Sequence, residues 1–227
     1  MILLLSCDAN RWKWQRIIDG WLAPCGIPYV IVVGTGLQDK KEGLVAASFD
    51  EATRELRLDC DDGYDGLSYK VAHGIREIVA RFAPEFLIKV DDDIVLNPRM
   101  LQRYTEICRA ARLDYCGNAS ARGAPGYSVH GIAKFRWPEN KLPILLPSNS
   151  TCVGPLYYLS AASLRVLVNH MDPGSCRCED VNVSLTLEAN GILADSMPVF
   201  TEVWRQYAEG FAVAFHDDTR AHPQNIR

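Results

Sequence analysis

Three consecutive acids, Asp91-Asp92-Asp93, stand between two apolar stretches, Phe86-Leu-Ile-Lys-Val90 and Ile94-Val-Leu96. Adjacent carboxylates repel one another and weaken a fold unless a cation sits among them. Asp91 and Asp93 are two apart, so an extended segment points them the same way. With a turn at Asp92 they can share one hard divalent ion through oxygen. Such an ion set against a diphosphate screens its charge and stabilises it as a leaving group. The alternative, a solvated acidic turn, fits poorly with apolar shoulders on both sides.

A second acidic pair, Glu179-Asp180, opens an apolar-patterned stretch running to Asn190. By itself it reads as an ordinary acidic helix N-terminus. His216 ends the apolar run Phe211-Ala-Val-Ala-Phe215, ahead of Asp217 and Asp218, and by itself reads as a plain surface or core histidine. Trp137, in a loop-rich region, and Tyr157 and Tyr158 read as core or rim residues or as aromatics able to stack on a ligand face.

The elements needed to position these groups can be read from apolar periodicity. Ile2–Leu5, Tyr29–Val33, Leu56–Leu58 and Glu85–Val90 read as strands bounded by turn signals. Arg11–Leu22 is helix-compatible. Tyr64–Phe82 places Leu67, Val71, Ile75, Ile78, Val79 and Phe82 at spacings of three and four, a long amphipathic helix closed by Pro84. Pro98 opens another helix, to about Ala111. Helical patterns return at Ser160–His170 and Glu179–Asn190. Alternating strands and helices predict an α/β fold with a mostly parallel, Rossmann-like sheet flanked by helices. In such sheets ligands bind beyond the carboxyl ends of the strands, where Asp91–Asp93 fall. The stretch 119–147 is rich in proline and glycine and reads as loops with short strands.

Bulk properties narrow the class. The chain has 227 residues, 48% of them hydrophobic, enough for a substantial core in one domain. With 24 basic and 28 acidic residues the net charge is −4, which argues against a nucleic-acid partner. The eight cysteines read as free, mostly buried thiols, and the single residue between Cys176 and Cys178 is too short a spacing for a zinc knuckle. No apolar run approaches the ~20 residues of a membrane span, and Met1–Leu5 lacks the pattern of a signal peptide. The expectation is a soluble, cytoplasmic chain, with a secretory-compartment location only for a domain trimmed from an anchored protein. The tripeptides at Asn118, Asn149 and Asn182 match the N-glycosylation pattern and read as coincidental.

The acids have company in a telling order. Asp62-Gly-Tyr64-Asp-Gly-Leu67-Ser-Tyr-Lys70 resembles the D-x-Y-x-x-L-x-x-K segment of family 31 glycosyltransferases, the β-1,3-galactosyltransferase and Fringe-like group. Lys89-Val-Asp-Asp-Asp93 resembles that family's K-x-D-D-D. Cys152-Val-Gly-Pro-Leu-Tyr-Tyr-Leu-Ser160 is similar to its C-S-G-G-G-Y-V-L-S, and Glu179-Asp180-Val181 to its E-D-V. The resemblance spans roughly residues 56–200.

It implies a GT-A fold as a single domain over 1–227, with 1–118 binding the nucleotide-sugar and 119–227 the acceptor. The implied reaction is metal-dependent, inverting transfer of a hexose or N-acetylhexosamine, galactose first. The donor would be a UDP-sugar and the acceptor a glycan or glycoconjugate hydroxyl, with Mn²⁺ or Mg²⁺ as cofactor. Asp180 becomes the general base, and Asp93, Asp91 and His216 the metal ligands. Ser6, Arg11, Asp62, Lys70, Asp91, Asp92 and Gly154 fall on the nucleotide-sugar side, Trp137 and Glu179 on the acceptor side. Arg11 also reads as a solvated helix arginine. The family's triple glycine is Gly154-Pro155-Leu156 here, which bears on donor identity, since glycines admit close approach of a sugar. Two rival readings are a non-catalytic sugar- or nucleotide-binding module of the same fold and a metal-dependent nucleotidyltransferase. The second would want a glycine-rich loop after the first strand, and Ser6–Arg11 has no glycine.

Overall fold

The run Ile2-Leu-Leu-Leu5 contains no polar residue, so a strand built from it must be covered on both faces. The computed structural model, which describes residues 1–36, 47–121, 150–176, 178–197, 200–201 and 214–216, shows this arrangement. Strand β1 (Ile2–Leu5) lies at the centre of an eight-stranded sheet ordered β3-β4-β2-β1-β5-β8-β7-β9. Its neighbours β2 (Tyr29–Gly34) and β5 (Phe86–Asp91) run parallel to it, as does β4 (Glu55–Leu58) beside β2. The flanks differ from the parallel centre. β3 (Ala47–Asp50) is antiparallel to β4, and β8 (Ser150–Ser160) is antiparallel to both β5 and β7 (Tyr115–Ala121). The short β9 (Asp195–Ser196) closes the far edge.

The strand alternation sorts side chains into two cores. Ile2, Leu4, Ile31, Val33, Ile88 and Val90 pack with Trp14, Trp21 and Leu22, and with Leu101, Tyr104 and Cys108 of helix α3 (Pro98–Ala110). On the other face Leu3, Leu5, Val30, Val32 and Leu87 pack against Val71, Ile75 and Ile78 of α2 (Leu67–Phe82). Leu164 and Leu167 of α4 (Ala161–His170) and Val183 and Leu187 of α5 (Glu179–Ala189) complete that core. Burying each such side chain contributes roughly 1.5–3 kcal/mol.

The helix ends follow local chemistry. Asn97 caps α3 by accepting the Met100 N–H at 3.3 Å, with Pro98 in the first turn, and Ser160 caps α4 from the Ala162 and Ser163 N–H groups. Ala83 ends α2 with φ of 42°, immediately before Pro84. The expected helix Arg11–Leu22 is broken into a 3₁₀ stretch Asp8–Lys13, a single α turn α1 (Trp14–Ile17) and a π turn Ile18–Leu22.

A second, three-stranded sheet ordered β10-β11-β6 joins β6 (Ile94–Leu96) to β10 (Phe200–Thr201) and β11 (Ala214–His216). The acids at 91–93 therefore sit where the chain passes from one sheet to the other. All eight cysteines are free thiols. Asn182 is buried and donates to Ser68 and to the Asp172 carbonyl, which closes it to glycosylation. Among the described residues, no helix is long and apolar enough to cross a membrane.

Candidate active site

The carboxyl ends of β1, β4 and β5 open into one cleft lined by Ser6, Asn10, Asp62, Tyr64, Lys70 and the three acids Asp91–Asp93. Its walls are tied together by side chains. The Ser6 hydroxyl accepts from the buried Trp14 indole at 2.9 Å and donates to Asp92 Oδ2 at 2.6 Å. Asn10 donates to the same oxygen at 2.9 Å, and the Lys13 ammonium stands 3.8 Å from Oδ1. These bonds pin the segment after β1 onto the acid turn.

A second knot joins β1, β2 and the loop after β4. The buried Lys70 ammonium donates to the Ser6 carbonyl and the Asp62 carbonyl, each at 2.9 Å, and to Asp62 Oδ1 at 3.2 Å. The Asp62 carboxylate also accepts from the N–H groups of Gly34 and Asp8, both at 2.7 Å. Gly34 has to be glycine for this contact, since a Cβ there would lie 2.7 Å from the Cys60 carbonyl oxygen.

Beneath the acids lies a buried cation. Lys89, 1% exposed, donates to Asp91 Oδ1 at 2.7 Å, and to the Gly154 carbonyl and Glu179 Oε1, both at 2.6 Å. The Tyr157 hydroxyl donates to the other Glu179 oxygen at 2.9 Å. One ammonium thus links β5, β8 and the start of α5. Burial pulls the Lys89 pKa down, but Asp91 and Glu179 outweigh that and hold the ammonium protonated. Asp91 is pushed up to about 7, chiefly by burial and further by Glu179 and Asp93, against the pull of Lys89.

Asp180, in the first turn of α5, is half-buried. Its Oδ1 accepts the Val181 N–H at 2.8 Å. Burial and then the Glu179 charge raise its pKa to about 6, partly opposed by Lys89 and by the N–H groups of Val181 and Gly154. A Cβ on Gly154 would lie 3.3 Å from Glu179 Oε1 and 3.5 Å from Asp180 Oδ2, so this glycine lets β8 come close to both acids.

A model of the galactosyltransferase family matches residues 11–198. The chain belongs to the galactosyltransferase family. It is a glycosyltransferase, of the family that the four motifs resemble. Among solved structures, a glycosyltransferase involved in the glycosylation of the major capsid of PBCV-1 aligns with a TM-score of 0.51. That alignment has 11% identity over 96% of this chain and 94% of that one. CMP:2-keto-3-deoxy-manno-octonic acid synthetase complexed with CTP aligns with a TM-score of 0.48 and 12% identity, over 88% of this chain and 89% of that one. At such identity the first likeness speaks for the fold alone, which is of the GT-A type. No curated protein matches.

In this galactosyltransferase-family chain, Ser6, Asp62, Lys70, Asp91, Asp92 and Asp93 share the cleft. Gly154, Glu179 and Asp180 form a second group, joined to the cleft floor through Lys89. Glu179, expected on the acceptor side, lies in the buried layer at 6% exposure with both oxygens engaged. Arg11 stands outside the cleft lining, in an ion-pair network with Asp8 and Glu55 that Arg57 shares. The backbone of His216 pairs antiparallel with Ile94, next to Asp93. Its side chain, and Trp137, Asp217 and Asp218 entirely, lie outside the described residues.

The sequence reading missed Asn10 and Tyr64 as cleft residues and Lys89 as the link between the two groups of acids. Tyr64 stood in a quoted motif, and it is 52% exposed at the cleft. Lys89 carried a signal of its own, a lysine inside an apolar strand, which must find anionic partners when buried.

Among the described residues, no three His, Cys, Asp or Glu side chains converge into a ready-made cage. The donors offered by Asp91 and Asp93 at the cleft are carboxylate oxygens. They fit a hard divalent ion that takes its remaining ligands from water and substrate phosphates.

Proposed function

We propose that this glycosyltransferase transfers a hexose or N-acetylhexosamine, galactose first, from a UDP-sugar to a hydroxyl of a glycan or glycoconjugate acceptor. The proposal includes inversion at the anomeric carbon. The observation that carries it is the pairing of a carboxylate-lined cleft with a separate carboxylate, Asp180, raised to about 6. The cleft suits a diphosphate brought in with a cation, and Asp180 suits acceptance of a proton near neutral pH.

Asp93 and Asp91 would hold Mn²⁺ or Mg²⁺, with His216 the candidate for a further ligand. When bound, the ion supplies charge compensation on the departing diphosphate. Asp180 takes the proton of the acceptor hydroxyl. The acceptor oxygen then bonds to the anomeric carbon as the carbon's bond to the phosphate oxygen breaks, and the diphosphate leaves with that electron pair. Asp92, held by Ser6 and Asn10, keeps the turn in shape.

Two variants measured side by side test the assignment. Asp180→Asn is nearly isosteric and cannot accept a proton. Transfer is expected to fall by about 10²–10⁴ with UDP affinity and melting temperature kept. Asp93→Ala is expected to abolish the Mn²⁺-dependent part of UDP binding in titration calorimetry. Near-normal transfer by Asp180→Asn would discard the base, and metal-enhanced UDP binding that survives in Asp93→Ala would discard the metal assignment.

A further inference from the structure

Glu179 is an anion placed where an ordinary helix-capping acid would not be. The N-cap of α5, Cys178, makes no side-chain cap, and Glu179 turns inward from the first turn to meet Lys89 at 2.6 Å and Tyr157 at 2.9 Å. Lys89 already has Asp91 and the Gly154 carbonyl as acceptors, so a partner for the buried ammonium exists without Glu179. Keeping a second carboxylate there costs desolvation. What Glu179 adds is its position, one residue before Asp180 on the same helical turn and against the same glycine, Gly154.

We propose that Glu179 is a positioning residue for transfer: anchored on Lys89 and Tyr157, it aims Asp180 and sets a fixed negative charge beside it. The inference rests on the reading of Asp180 as the base. The charge acts in the useful direction, because Glu179 raises the proton affinity of Asp180 while Lys89 opposes it. Among the described residues, the other titratable groups facing Asp180 are Tyr157 and Cys152 of β8, Tyr115 of β7, and Cys176 and Cys178 before α5. Burial pushes Tyr115, Tyr157 and Cys152 up, and a hydrogen bond to Cys176 together with burial pushes Cys178 up, so all four stay neutral near pH 7. Cys176 is pulled down by that same bond from Cys178 and needs its own control.

The test compares Glu179→Gln, Tyr157→Phe, Cys176→Ser and Asp180→Asn by melting temperature, donor KM and kcat across the acid limb of the pH profile. Glu179→Gln keeps the shape, and Lys89 keeps Asp91. The expected result is a folded enzyme with donor KM unchanged and plateau kcat lowered roughly three- to tenfold. Its acid limb is displaced to lower pH by up to about one unit. Tyr157→Phe loosens the anchor without altering charge, so kcat falls less and the limb stays in place. Cys176→Ser leaves the limb where it is.

A Glu179→Gln enzyme with wild-type kcat and an unmoved limb would overturn the inference, as would a loss confined to donor KM. A limb that moves as far in Tyr157→Phe or in Cys176→Ser would assign the shift to something other than the Glu179 charge and overturn it too. If Asp180→Asn still transfers, the base reading itself fails. If Asp180→Asn is inactive while Glu179→Gln behaves as wild type, only the role of Glu179 falls.

Discussion

The acid triplet on β5 and the acid pair on α5 hold carboxylates in opposite ways. Asp92 in the triplet is oriented by a hydroxyl and an amide from the segment after β1, with a lysine further off. These acids border an open cleft, where a cation can arrive with its substrate. Glu179 in the pair is shut in the interior, held by a buried ammonium and a tyrosine, and its charge raises its neighbour. The contrast shows one residue type serving two ends. On the proposed reading, the turn that would receive a cation is shaped by neutral donors to Asp92 at a wet edge, while Lys89 holds Asp91 from beneath. The carboxylate proposed to receive a proton is made more basic by burial and by a second anion. Lys89 touches both arrangements and is where the comparison is most easily broken.

Lys89→Met is expected to have the largest effect, because it strands Asp91 and Glu179 without their shared cation. The loss should be about 3–5 kcal/mol in denaturant unfolding. Lys89→Met combined with Glu179→Met should recover much of that stability, since apolar replacement of a buried pair is often neutral. A loss below about 1 kcal/mol in the single variant would mean that the two acid groups are not joined through Lys89. Gly154→Ala comes next. Its Cβ would meet Glu179 and Asp180 first, at 3.3 and 3.5 Å, and overpacking costs about 1–3 kcal/mol. Transfer should suffer while Mn²⁺-dependent UDP binding is kept, a split that a loss on both sides would contradict.

The wild-type pH profile follows in size. As the proposed base Asp180 would work as the carboxylate, so activity should rise with pH through about 6. Below that value the ionised fraction falls about tenfold per pH unit, about 1.4 kcal/mol in the barrier. Ser6→Ala should be smallest, costing about 1 kcal/mol as the Trp14 indole and Asp92 lose a partner. Because the Ser6 hydroxyl meets Trp14 and the triplet but neither acid of the pair, the acid limb should not move.

The sequence showed the parallel centre of the sheet because those strands are apolar runs with turn signals at their ends. Ile2–Leu5 came out with its observed bounds, and Tyr64–Phe82 differs only in a 3₁₀ start over Tyr64–Gly66. The antiparallel flank was hidden. β3 alternates half-buried and exposed residues at an edge, and β8 contains Gly154 and Pro155, which read as a motif rather than as a strand. Hence the expectation of a mostly parallel sheet is met at β4, β2, β1 and β5 and again between β7 and β9, while β3 and β8 run against their neighbours. Arg11–Leu22 has a helical pattern, yet tertiary packing of Trp14, Trp21 and Leu22 winds it into three different kinds of turn. At the site, motifs located the acids but not their partners. Ser6 meets Asp92, and Lys89 meets Glu179, across long stretches of chain, and no local pattern encodes such pairs.

The small sheet has a consequence for how the protein is made. β6 follows the acid triplet directly, yet its partner β11 lies far along the chain, with Ile94 opposite His216. During synthesis the triplet emerges early and β5 can join β1 at once, while the strand on the other side of the acids waits for a partner that does not yet exist. Closing so long a loop is also among the slower steps for a refolding chain. The shoulder of the cleft formed by β6 is thus completed late, after the core around β1 and β5 has had time to assemble.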